Sequence, residues 1–442
     1  MPGPSLPLFE PDLRLPDKVD VVVIGGGIVG ASTALELAER GHSVLLCEKG
    51  QIGGEQSSRN WGWVRISRRD PREVPLMAES MRLFEGLAQR TGRKTGYVRS
   101  GIVFGSGTEG YLAKLDRWRR HLEPHGIESR ILRGAEIDRL MPGGNLNLKG
   151  ALYTPMDGRA EPQWVTHAIA EAAQKAGAVV MTSLAVRSLD IAAGRVAGVA
   201  TEKGRVHADA VVLAGGAWSR LFAGNAGLQL PQLKVLNTVL RTTPVDGPET
   251  ALWTGGFAFR KRADGGYTVA SGSGNTVDIV PDSFRLGLTF LPTYLEDWKS
   301  LHFRLSSRWA IEAGQARHWR PDEMTAFEAC RVLDPAPSGR ILKSCWAALG
   351  RAFPAFQKAD IVQSWGGMID ATPDAIPVIS AVEQIPGFHI ATGFSGHGFG
   401  IAPGAGKLMA DIVTGAPPVV DPSAFRFSRF TDGSRIRTDS GY

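Results

Sequence analysis

The segment Val19-Asp20-Val21-Val22-Val23-Ile24-Gly25-Gly26-Gly27-Ile28-Val29-Gly30 constrains the fold more than any other stretch of the chain. A short β-branched run reads as a buried parallel strand. It stops at three glycines, and Ile28 to Arg40 then reads as a helix that Gly41 ends. Ser43 to Cys47 is a second apolar strand, closing a βαβ unit at Glu48. Gly25, Gly27 and Gly30 thus form G-x-G-x-x-G between a strand and a helix. The first glycine permits the tight turn, the second lets backbone approach a pyrophosphate, and the third allows close helix–strand packing. The helix N-terminus faces the anion. Glu48 is placed to accept both hydrogens of a ribose diol, and its charge disfavours a 2′-phosphate.

Composition narrows the class. The 442 residues predict two to three domains. Lys and Arg number 50 and Asp and Glu 44, a net charge of +6. The densest basic cluster is only Arg65 with Arg68-Arg69, so nucleic-acid binding is not expected. Three cysteines, with no Cys-x-x-Cys, argue against a disulfide framework and for reduced thiols in a cytoplasmic protein. The first 20 residues carry five prolines and read neither as a signal peptide nor as a transmembrane anchor. Neither His302 nor His318 has a metal-ligand partner at helical spacing, so no metal is expected.

Further along, helical patterns cover about 73–91, 109–123 and Pro162 to Ala176. Strands are predicted at 178–181, 184–190, 196–201 and 210–214, the last ending at Gly215-Gly216-Ala217-Trp218. Strands at 361–365 and 389–392 precede a third glycine-rich loop, 393–400, and a helix from about Ala402 to Thr414. The run Leu286-Gly287-Leu288-Thr289-Phe290-Leu291, with Tyr294, Leu295 and Trp298, is predicted to pack inward as core, with peripheral membrane contact as the alternative. One bound group embraced from three distant sequence regions suits a prosthetic flavin better than a diffusible nicotinamide. A nicotinamide dehydrogenase stays the weaker option.

Several motifs carry a resemblance that covers nearly the whole chain. They are Asp157-Gly158 with Pro162, Val211 to Ser219, Thr372-Pro373-Asp374 with Pro377-Val378-Ile379, and Gly393-Phe394-Ser395-Gly396-His397-Gly398-Phe399. With the glycine fingerprint, they resemble the flavoprotein amine oxidoreductases typified by D-amino acid oxidase, glycine oxidase and sarcosine oxidase. Gly54 to Arg59, Ala217 to Phe222, Phe327-Glu328 with Arg331, and Phe353 to Phe356 look most like bacterial L-amino acid deaminases. Those deaminases carry an N-terminal hydrophobic anchor, which is not read here.

The resemblance implies an α/β fold with a Rossmann-like FAD-binding domain of the glutathione reductase type (1–95, 151–232 and 344–442). A mixed-sheet substrate domain (96–150 and 233–343) completes it. It implies cofactor contacts from Gly25, Gly27, Gly30, Glu48 and Lys49, and from the loop Gln56, Ser57, Ser58, Arg59 and Asn60. Val186, Gly215, Gly216 and Trp218 follow, then Gly367, Gly393, Gly396, Gly398 and Gly400. Sarcosine oxidases attach flavin through a cysteine where Gly367 stands, so FAD is expected to be non-covalent. Gly400 stands where those enzymes have a lysine.

The implied reaction oxidises the C–N bond of an amino acid or amine, with oxygen or a quinone as electron acceptor. The alternative is a non-catalytic FAD-binding subunit of a multi-subunit amine dehydrogenase. A substrate carboxylate wants a buried arginine, and both Arg65 and Arg260 are candidates. The deaminases' carboxylate arginine falls where this chain has Ser271-Gly272-Ser273. Trp61 and Trp63 are a candidate aromatic lid, and His397 and Phe399 candidate neighbours of flavin or substrate.

Overall fold

The computed structural model describes residues 3–297 and 301–438. Its first sheet has the spatial order Val378–Ala381, Phe388–Thr392, Gly204–Leu213, Lys18–Ile24, Val44–Cys47, Val179–Met181. Val186–Ala192 and Arg195–Thr201 add an antiparallel ribbon to Gly204–Leu213. Lys18–Ile24 lies between two parallel neighbours, with Val22 against Leu45 on one side and Val211 on the other. That position explains its continuous β-branched run, because both faces are covered. Helix Ile28–Glu39 is buried from Ile28 to Ala38, between helices Pro162–Lys175 and Gly398–Thr414.

The second sheet is mixed. Its order is Leu301–Leu305, Asn275–Ile279, Leu233–Thr242, Tyr267–Ala270, Ala258–Lys261, Ala251–Trp253, Ile102–Ser106, Gly150–Thr154, Arg130–Leu132. Its core gathers Phe257, Phe259, Tyr267, Phe353 and Phe356. Strand Ile361–Ala371, expected with the first unit, pairs antiparallel with Leu233–Thr242 instead, from Leu233 opposite Ala371 to Thr242 opposite Ile361. Gly150–Thr154 also belongs to this second sheet. The chain leaves it at Ala371 and enters the first sheet at Val378, so residues 366–372 lie at the seam between the two.

Two further sequence expectations need correction. The run at 286–291 is no inward strand. It enters helix Gly287–Asp297, where Leu288 is 89% and Leu295 64% exposed, and only Leu286 is buried. Trp298 lies outside the described residues. The last helix begins at Gly398, not near Ala402, and runs through Pro403. Proline lacks an N–H and disfavours a helix interior, but this one sits in the second turn, inside an otherwise buried helix. Among the described residues no helix is long and apolar enough to cross a membrane.

Candidate active site

Two cavities meet at the seam. The first runs from the Gly25–Gly27 turn and Glu48 past Gly215, Gly216 and Trp218 to Phe394 and Gly398. The second is walled by Trp61, Trp63, Phe104, Trp253, Asn237 and Asn275, together with Arg65, Arg68 and Arg69. Gln56, Asn60, Gly396 and Phe399 line both.

The first cavity is shaped by backbone proximity. A Cβ at Gly25, whose φ is +111°, would lie 2.5 Å from the Ala214 carbonyl oxygen. A Cβ at Gly30 would lie 2.0 Å from the Gly25 carbonyl oxygen. The Glu48 carboxylate accepts backbone N–H groups from Gly26 and Gly50, each at 2.7 Å. Burial pushes its carboxyl above the ordinary range, against the pull of Lys49 and those two donors. The Ser57 hydroxyl accepts the Ile28 N–H at the start of the first helix, at 2.9 Å. Removing the carboxylate strands two donors and opens the loop. Glu48→Ala should weaken flavin retention tenfold or more, since charge-assisted hydrogen bonds contribute about 1.5–3 kcal/mol each. Full flavin occupancy after gel filtration of the variant would refute this.

Other contacts were not foreseen. Lys49 donates to Glu55 at 2.7 Å and to the carbonyls of Cys330 and Arg331, and its ammonium stands 4.5 Å from the Trp218 ring centroid. Arg331 clamps Glu202 with two bonds of 2.6 Å. These ties draw Phe327, Arg331 and Val332 over the first cavity. Asp370 lines it too and accepts the Gly393 N–H at 2.7 Å.

Among residues named from sequence, Gly25, Gly27, Glu48, Lys49, Gln56, Ser57, Asn60, Val186, Gly215, Gly216, Trp218, Gly396 and Gly398 line the first cavity. Gly400, Trp63, Arg65 and His397 line the second, and Phe399 lines both. The others lie behind the walls. Gly30 packs helix on turn. The Ser58 carbonyl accepts from Gln163, and Arg59 binds Asp334 and the Gly366 carbonyl. Gly393 serves Asp370. Gly367 packs on Gln56, where a Cβ would lie 2.3 Å from Gln56 Oε1. Arg260 also misses the cavities. It is 1% exposed and forms a two-pronged ion pair with Glu161, at 2.7 and 3.0 Å. Its Nε donates to the Trp61 carbonyl at 2.6 Å, beneath the turn carrying Trp61 and Trp63.

The loop 65–69 is anchored from below. Asp157 accepts the Ile66 N–H at 2.7 Å and the Ser67 hydroxyl, which also reaches Thr154 at 2.7 Å. Burial raises the Asp157 carboxyl from 3.8 to about 6. The folded state therefore holds a proton that the unfolded chain releases earlier. Stability from this group is greatest in acid and falls as the pH rises from near 4 through about 6, by roughly 3 kcal/mol in all. Asp157→Asn should flatten that slope. Melting curves of the two proteins that fall in parallel across this range would contradict the assignment. Burial pushes the neighbouring His397 down to about 4, so its imidazole is neutral at pH 7.

A dinucleotide fits these residues. The glycine turn leaves room only for backbone. At the junction, Gln56 Oε1 is buried with no hydrogen-bond partner among the described residues, which suits a donor on a bound group.

Comparison with known proteins agrees. A family model described as FAD dependent oxidoreductase matches residues 20–412. The solved structure of the L-amino acid deaminase of Proteus myxofaciens, in complex with anthranilate, is 34% identical, with a TM-score of 0.94 and 98% of each chain covered. That of Proteus vulgaris is 32% identical, with a TM-score of 0.91 over 96% of this chain and 100% of the other. Mitochondrial dimethylglycine dehydrogenase of Mus musculus is 26% identical across 97% of this chain but only 46% of its own length. The chain spans about half the length of the first curated relatives it matches. A fingerprint cradle continuous with an aromatic, arginine-bearing cavity, and a family match across most of the sequence, place the chain in the FAD-dependent oxidoreductase family.

Proposed function

We propose that this chain oxidises the C–N bond of an amino acid or related amine to an imine, which water hydrolyses to a keto acid or other carbonyl product. The carrying observation is that the cradle for the cofactor and the arginine-bearing cavity share Gln56, Asn60, Gly396 and Phe399. A small molecule in the second cavity therefore lies against whatever fills the first. The Gly25–Gly27 turn, Glu48 and the 393–400 loop would hold FAD without a covalent bond, and FAD bound there would supply a two-electron acceptor, with oxygen or a quinone as the final acceptor. Three free thiols suit a reducing, cytoplasmic setting.

The chain's own contribution is orientation and exclusion of water. Arg65 holds the substrate carboxylate, which fixes the α-carbon relative to the junction. Trp61 and Trp63 meet edge to face at 5.1 Å, and Trp63 meets Phe104 at 5.9 Å, forming an aromatic wall. Neutral His397 adds no charge that would compete for the carboxylate. Removing a charge-assisted contact of about 1.5–3 kcal/mol should cost about tenfold or more in rate at low substrate, at 1.4 kcal/mol per decade. Arg65→Ala should thus slow flavin reduction by the amino acid and spare an analogue lacking the carboxylate. Equal losses for both would make Arg65 structural. The reading itself is tested by mixing the yellow holoenzyme anaerobically with a panel of amino acids and amines. Bleaching by one class supports it, and a flavin inert to every amine overturns it.

A further inference from the structure

We propose that Asn275 sets the specificity of the second cavity: its side-chain N–H donates to an oxygen on the side chain of an amino acid whose carboxylate Arg65 holds. This rests on the proposed C–N oxidation and narrows its substrate class to side chains that carry a hydrogen-bond acceptor.

Strand register sets the geometry. Leu236 stands opposite Thr276 in the antiparallel pair Leu233–Thr242 and Asn275–Ile279. One step along, Asn237 and Asn275 become cross-strand neighbours. Alternation turns them to the face away from Leu236, which is buried with Ala217 and Met368. Both asparagines line the second cavity. The Trp61 indole donates to Asn237 Oδ1 at 3.1 Å, and Asn237 Nδ2 donates to Asn275 Oδ1 at 3.2 Å. An indole only donates, so the direction of this chain is fixed at its first link. Trp61 takes the Asn237 oxygen, the Asn237 nitrogen takes the Asn275 oxygen, and the polar atom left for a ligand is Asn275 Nδ2. Asn275 is half-buried, and its Nδ2 has no hydrogen-bond partner among the described residues. Trp63 lines the same cavity, and its indole N–H is buried without a partner among the described residues. Both unpartnered groups are donors.

The wall closes on itself. Trp61 meets Trp63, Trp63 meets Phe104, and Phe104 meets Trp253 at 6.1 Å. The Trp253 indole donates to the Gly272 carbonyl at 2.8 Å, and residues 272–275 lead back to Asn275, Asn237 and Trp61. Phe104 and Asn275 therefore face each other across the cavity. The Arg65 guanidinium carbon stands 5.7 Å from the Phe104 ring centroid. One Arg65 nitrogen donates to the Ser67 carbonyl, and the rest of the five-donor fork keeps N–H groups for a carboxylate. An amino acid that gives its carboxylate to Arg65 thus directs its other end to Asn275. A side-chain oxygen there satisfies the amide donor, whereas an apolar side chain covers it and leaves it unpaired, which is how a polar group discriminates between isosteres.

The test uses isosteric pairs. Wild-type holoenzyme is mixed anaerobically with both enantiomers of threonine and valine, asparagine and leucine, and homoserine and norvaline. In at least one pair the oxygen-bearing member should bleach the flavin roughly tenfold or more faster, at low concentration, than its apolar match. Asn275→Leu should collapse that ratio to within about twofold. Asn275→Asp keeps one oxygen for the Asn237 amide and puts a second where Nδ2 stood. It should lose the preference for acceptors and raise the rate with ornithine, relative to isosteric norleucine, by about tenfold over the wild-type ratio. Should both variants fail to fold, the wild-type pairs still decide. Apolar members that match or outrun their partners in every pair overturn the proposal while C–N oxidation stands. A ratio unchanged in Asn275→Leu, or an Asn275→Asp protein that still prefers acceptors, overturns it as well. So does bleaching confined to amines with no carboxylate. A flavin bleached by no amine removes both readings.

Discussion

Replacing Gly30 with alanine is expected to yield a protein without flavin and with a severely lowered melting temperature. The added Cβ would lie 2.0 Å from the Gly25 carbonyl oxygen and 3.3 Å from the Ala214 Cβ. The nearest obstacle is backbone, so no rotamer relieves it. Either helix Ile28–Glu39 moves off the sheet or the Gly25–Gly27 turn opens, and both destroy the cradle. Overpacking of a tight core typically costs about 1–3 kcal/mol, and a backbone collision lies at or beyond that end. Gly86→Ala is the control. Gly86 lies within helix Val74–Thr91 with nothing within 4 Å of a new Cβ, so the change should stabilise by about 0.5–1 kcal/mol. The flavin-to-protein absorbance ratio and a thermal melt of both variants decide. A yellow, wild-type-like Gly30→Ala protein would refute the packing argument.

Arg260→Ala should destabilise the whole protein and slow every substrate alike. The Arg260–Glu161 pair is almost wholly buried, and Glu161 also accepts the Ala263 N–H at 2.8 Å. Removing one partner leaves an uncompensated buried carboxylate, which costs about 3–5 kcal/mol. The turn at Gly62, with φ +78°, rests on the Arg260 side chain and carries Trp61 and Trp63, so the cavity wall would loosen as well. Substituting both partners by apolar residues of similar size, Arg260→Met with Glu161→Leu, should recover much of the stability. A loss confined to carboxylate-bearing substrates, at unchanged melting temperature, would instead make Arg260 a substrate ligand.

What could be read in the sequence was local. The first strand, the glycine turn, the first helix and Glu48 adjoin in sequence, so their joint geometry follows from residue type and spacing. Pro162 opened its helix where proline is tolerated, at the first turn. The last helix starts before Ala402 because Gly398 and Gly400, which read as loop, lie in its first turn. The run at 286–291 misled because apolar content alone does not say which way a segment faces. The arginines show the deeper limit. Arg65 and Arg260 are indistinguishable by type. What separates them is Phe104 beside one and Glu161 beside the other, both distant in sequence and met only in the folded chain. Arg331 and Lys49 stand in stretches the resemblance picks out, but their ties to Glu202 and to the Cys330 and Arg331 carbonyls join residues far apart in sequence.

The most direct measurement of the central claim is a single anaerobic turnover followed to its product. Holoenzyme is mixed with a limiting amine or amino acid that bleaches it, and flavin absorbance is compared with carbonyl product and released ammonia or amine. One equivalent of carbonyl compound and one of ammonia or amine are expected for each flavin reduced. A flavin that stays oxidised with every amine, or one that bleaches without forming a carbonyl product, would contradict it.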